Sequence, residues 1–234
     1  MHLDLREHRV AMVPRALAEA HDRTSVGTRL TVRMPSSVDR IGTNDLIVGG
    51  GFALISSRGT HHTIERLHSL PDRVGPDLRV LLCGLNPSPY AADVGVGFAR
   101  SGNRFWPAAL ASGLVSVDRD PQHALDEHRV GMTDLVKRAT ARANEIDRAE
   151  YTAGAERIAH LCALITPRVL CVVGVTGWRI AVDKKAQLGL QTIRLGDTLV
   201  YVMGNPSGLN AHVTVDDVAG EFSRVAALAD GGST

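Results

Sequence analysis

Three short apolar runs with β character, Leu78–Cys83, Val169–Val173 and Leu199–Met203, each end in a glycine-containing turn. Those turns read Gly84-Leu85-Asn86-Pro87, Gly174-Val175-Thr176-Gly177 and Gly204-Asn205-Pro206-Ser207-Gly208. Runs that are apolar at successive residues, not alternate ones, suit strands covered on both faces, as in a mostly parallel sheet between helix layers. Helical patterns separate them. Asn103 can cap a helix running through Ala111, and a helix from Thr152 with Ile158, Leu161, Cys162 and Ile165 on one face would stop at Pro167. Thr214, followed by Asp216 and Asp217 in the first turn, opens a last helix with Val218, Phe222, Val225 and Leu228 on one face.

This alternation predicts an α/β fold: a three-layer α/β/α domain with a central, mostly parallel sheet over residues 70–234, preceded by a small extension over residues 1–69. In such sheets ligands sit beyond the carboxyl ends of the strands, so the three turns should converge on one site, with the two Asn-Pro turns facing each other across it. The extension differs in character. Leu30–Met34 and Leu46–Ser56 are read as strands, the second interrupted by Gly49-Gly50-Gly51, with no helix of convincing length.

At 234 residues and 44% apolar composition, one core is feasible. No charged-plus-apolar export segment and no bilayer-length apolar run is present, which sets the expectation of a cytoplasmic protein without membrane contact. Cys83 and Cys171 lie within strand-like runs and are read as buried, inert thiols. The net charge is +1, with 9 Arg against 7 acidic residues up to Ser69 and 17 basic against 18 acidic residues after it. Any nucleic-acid contact must therefore use a local patch.

Several chemistries lack their residues: there is no phosphate-cradling Gly-rich loop with Lys, no Gly-x-Ser-x-Gly elbow, and no His or Cys spacing suited to zinc. What remains is rich in amides. An Asn side chain is no base, but it can orient a water and donate to a developing anion. An Asn-Pro at a strand end is also ordinary turn chemistry.

The order of motifs carries more. Gly84-Leu85-Asn86-Pro87, then Gly97-Phe98-Ala99 with Gly102-Asn103-Arg104-Phe105-Trp106, then Gly131-Met132-Thr133-Asp134-Leu135-Val136, and finally Asn205-Pro206-Ser207-Gly208-Leu209 closely resemble the mismatch-specific uracil/thymine DNA glycosylases, a branch of the uracil-DNA glycosylase superfamily. The resemblance covers roughly Leu70 to Ala229. It implies excision of uracil, or of thymine and related bases, from mismatched double-stranded DNA by a monomer that uses no metal or redox cofactor. Asn86 would hold the attacking water and Asn205 would contact the pyrimidine or its departing anion. Phe98 would stack on the flipped base, with Leu85 and Ala91 beside it. Leu209 would wedge into the vacated base stack, on a DNA-contacting loop that includes Ser207, Gly208, Asn210 and His212. Lys137, Arg138 and Arg142 form the densest basic cluster and are the candidates for phosphate contacts.

The chain also departs from the family pattern. Ser88-Pro89 follows the first Asn-Pro where many members have Gly, and Asn210-Ala211-His212 replaces a common Ser-Arg after the wedge. Asp93, seven residues beyond Asn86, offers a carboxylate that would activate the water or balance the sugar cation; a loop cap or salt bridge is its other reading. The alternative for the whole chain is a non-catalytic DNA- or nucleotide-binding module that keeps the pocket.

Overall fold

A computed structural model describes residues 2–208 and 213–232. The carboxyl-terminal part is built on a five-stranded sheet of β5 (Val80–Gly84), β6 (Val130–Asp134), β7 (Val169–Val173), β8 (Gly189–Leu195) and β9 (Thr198–Met203), in the order β6-β5-β7-β9-β8. Only the β8–β9 pairing is antiparallel. The unbroken apolar runs have the expected cause. Val80 and Leu82 pack on one side of the sheet among Phe105, Trp106 and Phe222, whereas Leu81 and Cys83 pack on the other among Ile158, Leu161 and Trp178. Helices α4 (Phe105–Ala111) and α8 (Val215–Ala229) thus cover one face, and α6 (Arg148–Ile165) and α7 (Val175–Ala181) the other. Two shorter helices, α3 (Pro89–Val94) and α5 (Pro121–His128), complete this α/β/α arrangement.

Thr214 caps α8 in a reciprocal capping box with Asp217, as its sequence signature indicates. Helix α6 begins a turn earlier than expected, because Asp147 and Glu150 form another capping box. Helix α4 starts at Phe105, whose amide donates to Asn103 Oδ1 at 2.9 Å. All three cysteines are free and buried. Burial raises their pKa values, that of Cys162 to about 12.

Residues 2–66 are more ordered than the sequence suggests. Strands β1 (His2–Asp4), β2 (Arg29–Arg33), β3 (Phe52–Arg58) and β4 (His61–Arg66) form a sheet in the order β1-β2-β4-β3. Helices α1 (Val13–Asp22) and α2 (Arg40–Gly49) join them, and Leu5, Leu17, Leu30, Ile47, Phe52 and Ile64 build a separate apolar cluster. The expectation of a strand from Leu46 to Ser56, without a substantial helix in this part, is therefore corrected. Asp39 caps α2 by accepting from the Gly42 amide, the helix ends at the glycines, and β3 begins only at Phe52. Apolar residues without a clear period allow either reading, so the cap and glycine stop decide.

His21, at the end of α1, lies in contact with Phe52, and neither ring nitrogen has a hydrogen-bond partner among the described residues, the Asp22 carboxylate standing 3.9 Å from Nδ1. Burial pushes its pKa down from the ordinary value. The unfolded chain therefore takes up this proton first as pH falls below about 6.5, so His21 contributes stability above that value that is lost in more acidic solution. Denaturant midpoints across pH 5 to 8 should show a shallower acidic decline for His21→Leu than for the parent chain, a difference confined to pH below about 6.5.

Candidate active site

The end of β5 and the segment after β6 are held side by side. The Leu135 and Val136 amides donate to the carbonyls of Gly84 and Leu85, both at 2.9 Å, and the Thr140 amide donates to Pro87 O at 3.1 Å. Asn86 is inserted between them. Its Nδ2 donates to Arg138 O at 3.0 Å, Thr140 Oγ1 at 2.8 Å and Pro87 O at 3.0 Å. Two of these partners are carbonyls, and the Thr140 hydroxyl is itself donating to Arg142 O at 2.9 Å, so nitrogen must face this cradle. Oδ1 is left as the acceptor. The Ser88-Pro89 departure has a local use: Ser88 Oγ accepts from the Ala91 amide and Pro89 begins α3 immediately after the turn.

Phe98 has a positive φ of 58°, a conformation that costs an ordinary residue on the order of 1 kcal/mol. Its ring stacks on Phe105 with centroids 4.0 Å apart and planes 6° from parallel. A Cβ on Gly84 would lie 3.1 Å from the tip of Phe98 and 2.6 Å from Asp134 Oδ1. Glycine is required there because ring and carboxylate both crowd the strand end. Asp134 closes β6 directly opposite Gly84 in register. Burial drives its pKa up to about 6, with Asp72 adding to the rise and Lys137 and Arg157 opposing it.

The second Asn-Pro turn lies at the same end of the sheet, after β9. β7 separates β5 from β9, which puts these two strands about 10 Å apart. Asn205 Oδ1 accepts from the Ser207 amide at 2.9 Å, leaving Nδ2 as its donor group. The Arg104 amide donates to Pro206 O at 3.0 Å and its guanidinium to Ser207 O at 2.8 Å. Gly208 lies so close to Gly102 that a Cβ would stand 2.4 Å from the Gly102 carbonyl oxygen. At the start of α3, Ser88, Pro89 and Tyr90 line a cavity of about 430 Å³ together with Arg100, Ser101 and Ala141.

Not every expected site residue faces this region. Lys137 is corrected from a phosphate contact to a buried ion pair: its side chain is 5% exposed and Nζ is 2.8 Å from Asp72 Oδ1. Arg138 remains exposed, but its guanidinium is bound to both carboxylate oxygens of Glu150 and to Glu145 O. Leu85 packs its side chain toward Gly177 and Leu135, so its contribution beside the turn is its carbonyl. Ala91 is buried within α3. Asp93 is 67% exposed and pairs with His68 Nε2 at 2.8 Å. Leu209, Asn210 and His212 lie outside the described residues.

The sequence does not single out Asp134, although it stands inside the Gly131–Val136 motif. Motif spacing alone does not distinguish its carboxyl from a turn residue. Its signal is the strand register that brings it to Gly84.

A family model of the uracil DNA glycosylase superfamily matches residues 71–224. The chain belongs to that superfamily. This uracil-DNA-glycosylase-superfamily protein is also similar to a Methanosarcina acetivorans protein, assigned provisionally as a uracil DNA glycosylase and solved by solution NMR. Their identity is 16%, with 67% of this chain and 96% of that chain covered and a TM-score of 0.46. Membership carries N-glycosyl hydrolase chemistry and a DNA substrate at the level of the superfamily. No helix among the described residues is long and apolar enough to cross a membrane.

The raised pKa of Asp134 has a thermodynamic consequence. Its favourable contribution to folding is present below the unfolded value near 3.9 and lost as pH rises through about 6, so the folded state at neutral pH bears the cost of an ionised buried carboxyl. Asp134→Asn should raise the thermal midpoint at pH 7.5, by an amount corresponding to on the order of 2 kcal/mol, with a smaller gain at pH 4.5; paired melts at the two pH values measure this.

Proposed function

We propose that the protein is a monofunctional DNA glycosylase that flips uracil out of mismatched duplex DNA and hydrolyses its N-glycosidic bond. The observation that carries this reading is the Asn86 carboxamide, tied by nitrogen to residues 138–140 with its oxygen left to orient water. Phe98 would stack on the flipped base with the ring face that Phe105 does not cover, and its ring tip and the Asp134 carboxylate both crowd Gly84. As the C1′–N1 bond breaks, its electron pair passes to the base, and water held by Asn86 Oδ1 adds to C1′ and gives its proton to a carboxylate. Asn205 Nδ2 is the candidate donor to the departing anion.

For the carboxylate beside this water we favour Asp134 over Asp93. Asp134 is buried at the strand end with a pKa near neutrality, whereas Asp93 is largely exposed and already engaged with His68. A general base works best when its pKa lies near the operating pH. Preference for uracil opposite guanine follows from the lower cost of flipping a poorly paired base, about a few kcal/mol or less. The same pocket would admit thymine only if its walls tolerate one additional methyl group.

A labelled duplex with one uracil opposite guanine tests the proposal under single-turnover conditions. Excision should leave an alkali-labile abasic site; binding without product would instead make the chain a non-catalytic module. Asn86→Ala should reduce the rate by at least about a hundredfold and Asp134→Asn by a similar factor, while Asp93→Asn should change it less than about threefold. The parent rate should fall as pH drops through about 6, and Asp134→Asn should lack that acidic limb.

A further inference from the structure

The segment between the two sheets does more than connect them. The Asp72 carboxylate accepts from Thr133 Oγ1 at 2.6 Å, Lys137 Nζ at 2.8 Å and Arg157 Nη1 at 2.6 Å, and it is buried. Arg157, from α6, continues to Asp134 O at 2.6 Å and Thr133 Oγ1 at 3.1 Å. Ser69 Oγ donates to Lys137 O. Arg73 exchanges two backbone hydrogen bonds with Met132, each 2.9 Å. Residues 69–73 therefore grip the end of β6 and the segment that holds Asn86.

The amino-terminal sheet unit closes this grip from outside. The Asp72 amide donates to Gly49 O, at the end of α2, at 2.7 Å. A Cβ on Gly49 would lie 2.4 Å from Asp72 Oδ2 and 3.1 Å from Arg157 Nη1, so this turn of α2 rests directly on the ion cluster. The Arg73 guanidinium also pairs with Asp22 of α1, at 2.8 and 2.7 Å.

We infer that Asp72 is a positioning residue for the Asn86 carboxamide, and that the amino-terminal unit is part of the excision site through the contact of Gly49 with Asp72. Asp72 acts by holding Thr133 and Lys137, which set the path of residues 133–140. That path supplies the two acceptors, Arg138 O and Thr140 Oγ1, that orient Asn86. The unit need not touch DNA to affect chemistry. The inference rests on the excision reading for its kinetic arm and on the free protein for its other arm.

The variant Lys137→Met removes the tie between Asp72 and residues 133–140 while leaving the Asp72–Arg157 pair. Ser69→Ala removes one hydroxyl, and Gly49→Ala pushes a methyl group into the Asp72 carboxylate. In the free protein, hydrogen exchange of the Asn86 side-chain amide, read by NMR, should accelerate at least about fivefold in Lys137→Met and Gly49→Ala and less in Ser69→Ala. With the uracil:guanine duplex, single-turnover excision by the first two should fall at least about tenfold while the duplex dissociation constant stays within about twofold, since Lys137 Nζ is buried. Charged and titratable neighbours of Asp134 are Lys137 on its own segment, Asp72, Arg157 of α6 and Cys83 of β5. Losing the Lys137 cation should therefore move the acidic limb of the rate profile to higher pH, a change that simple loosening would not produce. Parent-like exchange of the Asn86 amide in folded Lys137→Met and Gly49→Ala would overturn the inference, whether or not the protein excises uracil. Should either variant fail to fold, parent-like exchange and rate in Ser69→Ala would overturn it instead. Absence of excision by the parent chain would overturn the proposed function and leave the exchange result to decide this point separately.

Discussion

The pairing of residues 84–87 with residues 135–140 is the constraint on which the site depends. It is an extension, beyond the sheet, of the parallel register between β5 and β6. Its result is that one carboxamide turns its two N–H hydrogens toward three acceptors, while its oxygen accepts from no donor among the described residues. A free Asn rotamer would present either end to a water. Here hydrogen bonding removes that choice before any substrate arrives, and such preorganisation carries much of the electrostatic contribution in enzyme sites.

A buried charge cluster supports the same segment. Asp72 faces two cations, and its pKa is shifted net downward although burial opposes this. Nearby Asp134 has two like-signed pressures against ionisation, burial and Asp72, and remains a group poised near neutral pH. Two carboxyls in one cluster are thereby driven apart in proton affinity. The two cations favour the anionic form of Asp72, which ties the backbone of residues 133–137, while Asp134 sits at the strand end with a pKa near 6.

Much of the sheet was legible because its strands are apolar on both faces, a pattern that few other arrangements explain, and β7 was predicted to the residue. The cap at Thr214 was equally plain, since hydroxyl and carboxylate stand at capping-box spacing. Helix α2 was not legible: Leu46, Ile47 and Val48 suit a strand in isolation, and the Asp39 cap, the glycine stop and packing against β3, α1 and α6 favour the helix. At the site, Asn86 could be picked out by its place at a strand end, but its orientation depends on residues more than fifty positions away. Lys137 illustrates the reverse difficulty. In sequence it belongs to a basic cluster, and only the fold reveals that Asp72, 65 residues earlier, has taken it into the interior.

If the chain excises uracil, the orientation that residues 138–140 impose on Asn86 is what would make the site competent. Thr140→Val tests it most directly, because it keeps the shape of the side chain and removes one acceptor from Asn86 Nδ2. Single-turnover excision of uracil from a uracil:guanine duplex should fall about tenfold, the equivalent of one hydrogen bond, with duplex affinity unchanged. An excision rate equal to that of the parent chain would contradict the account.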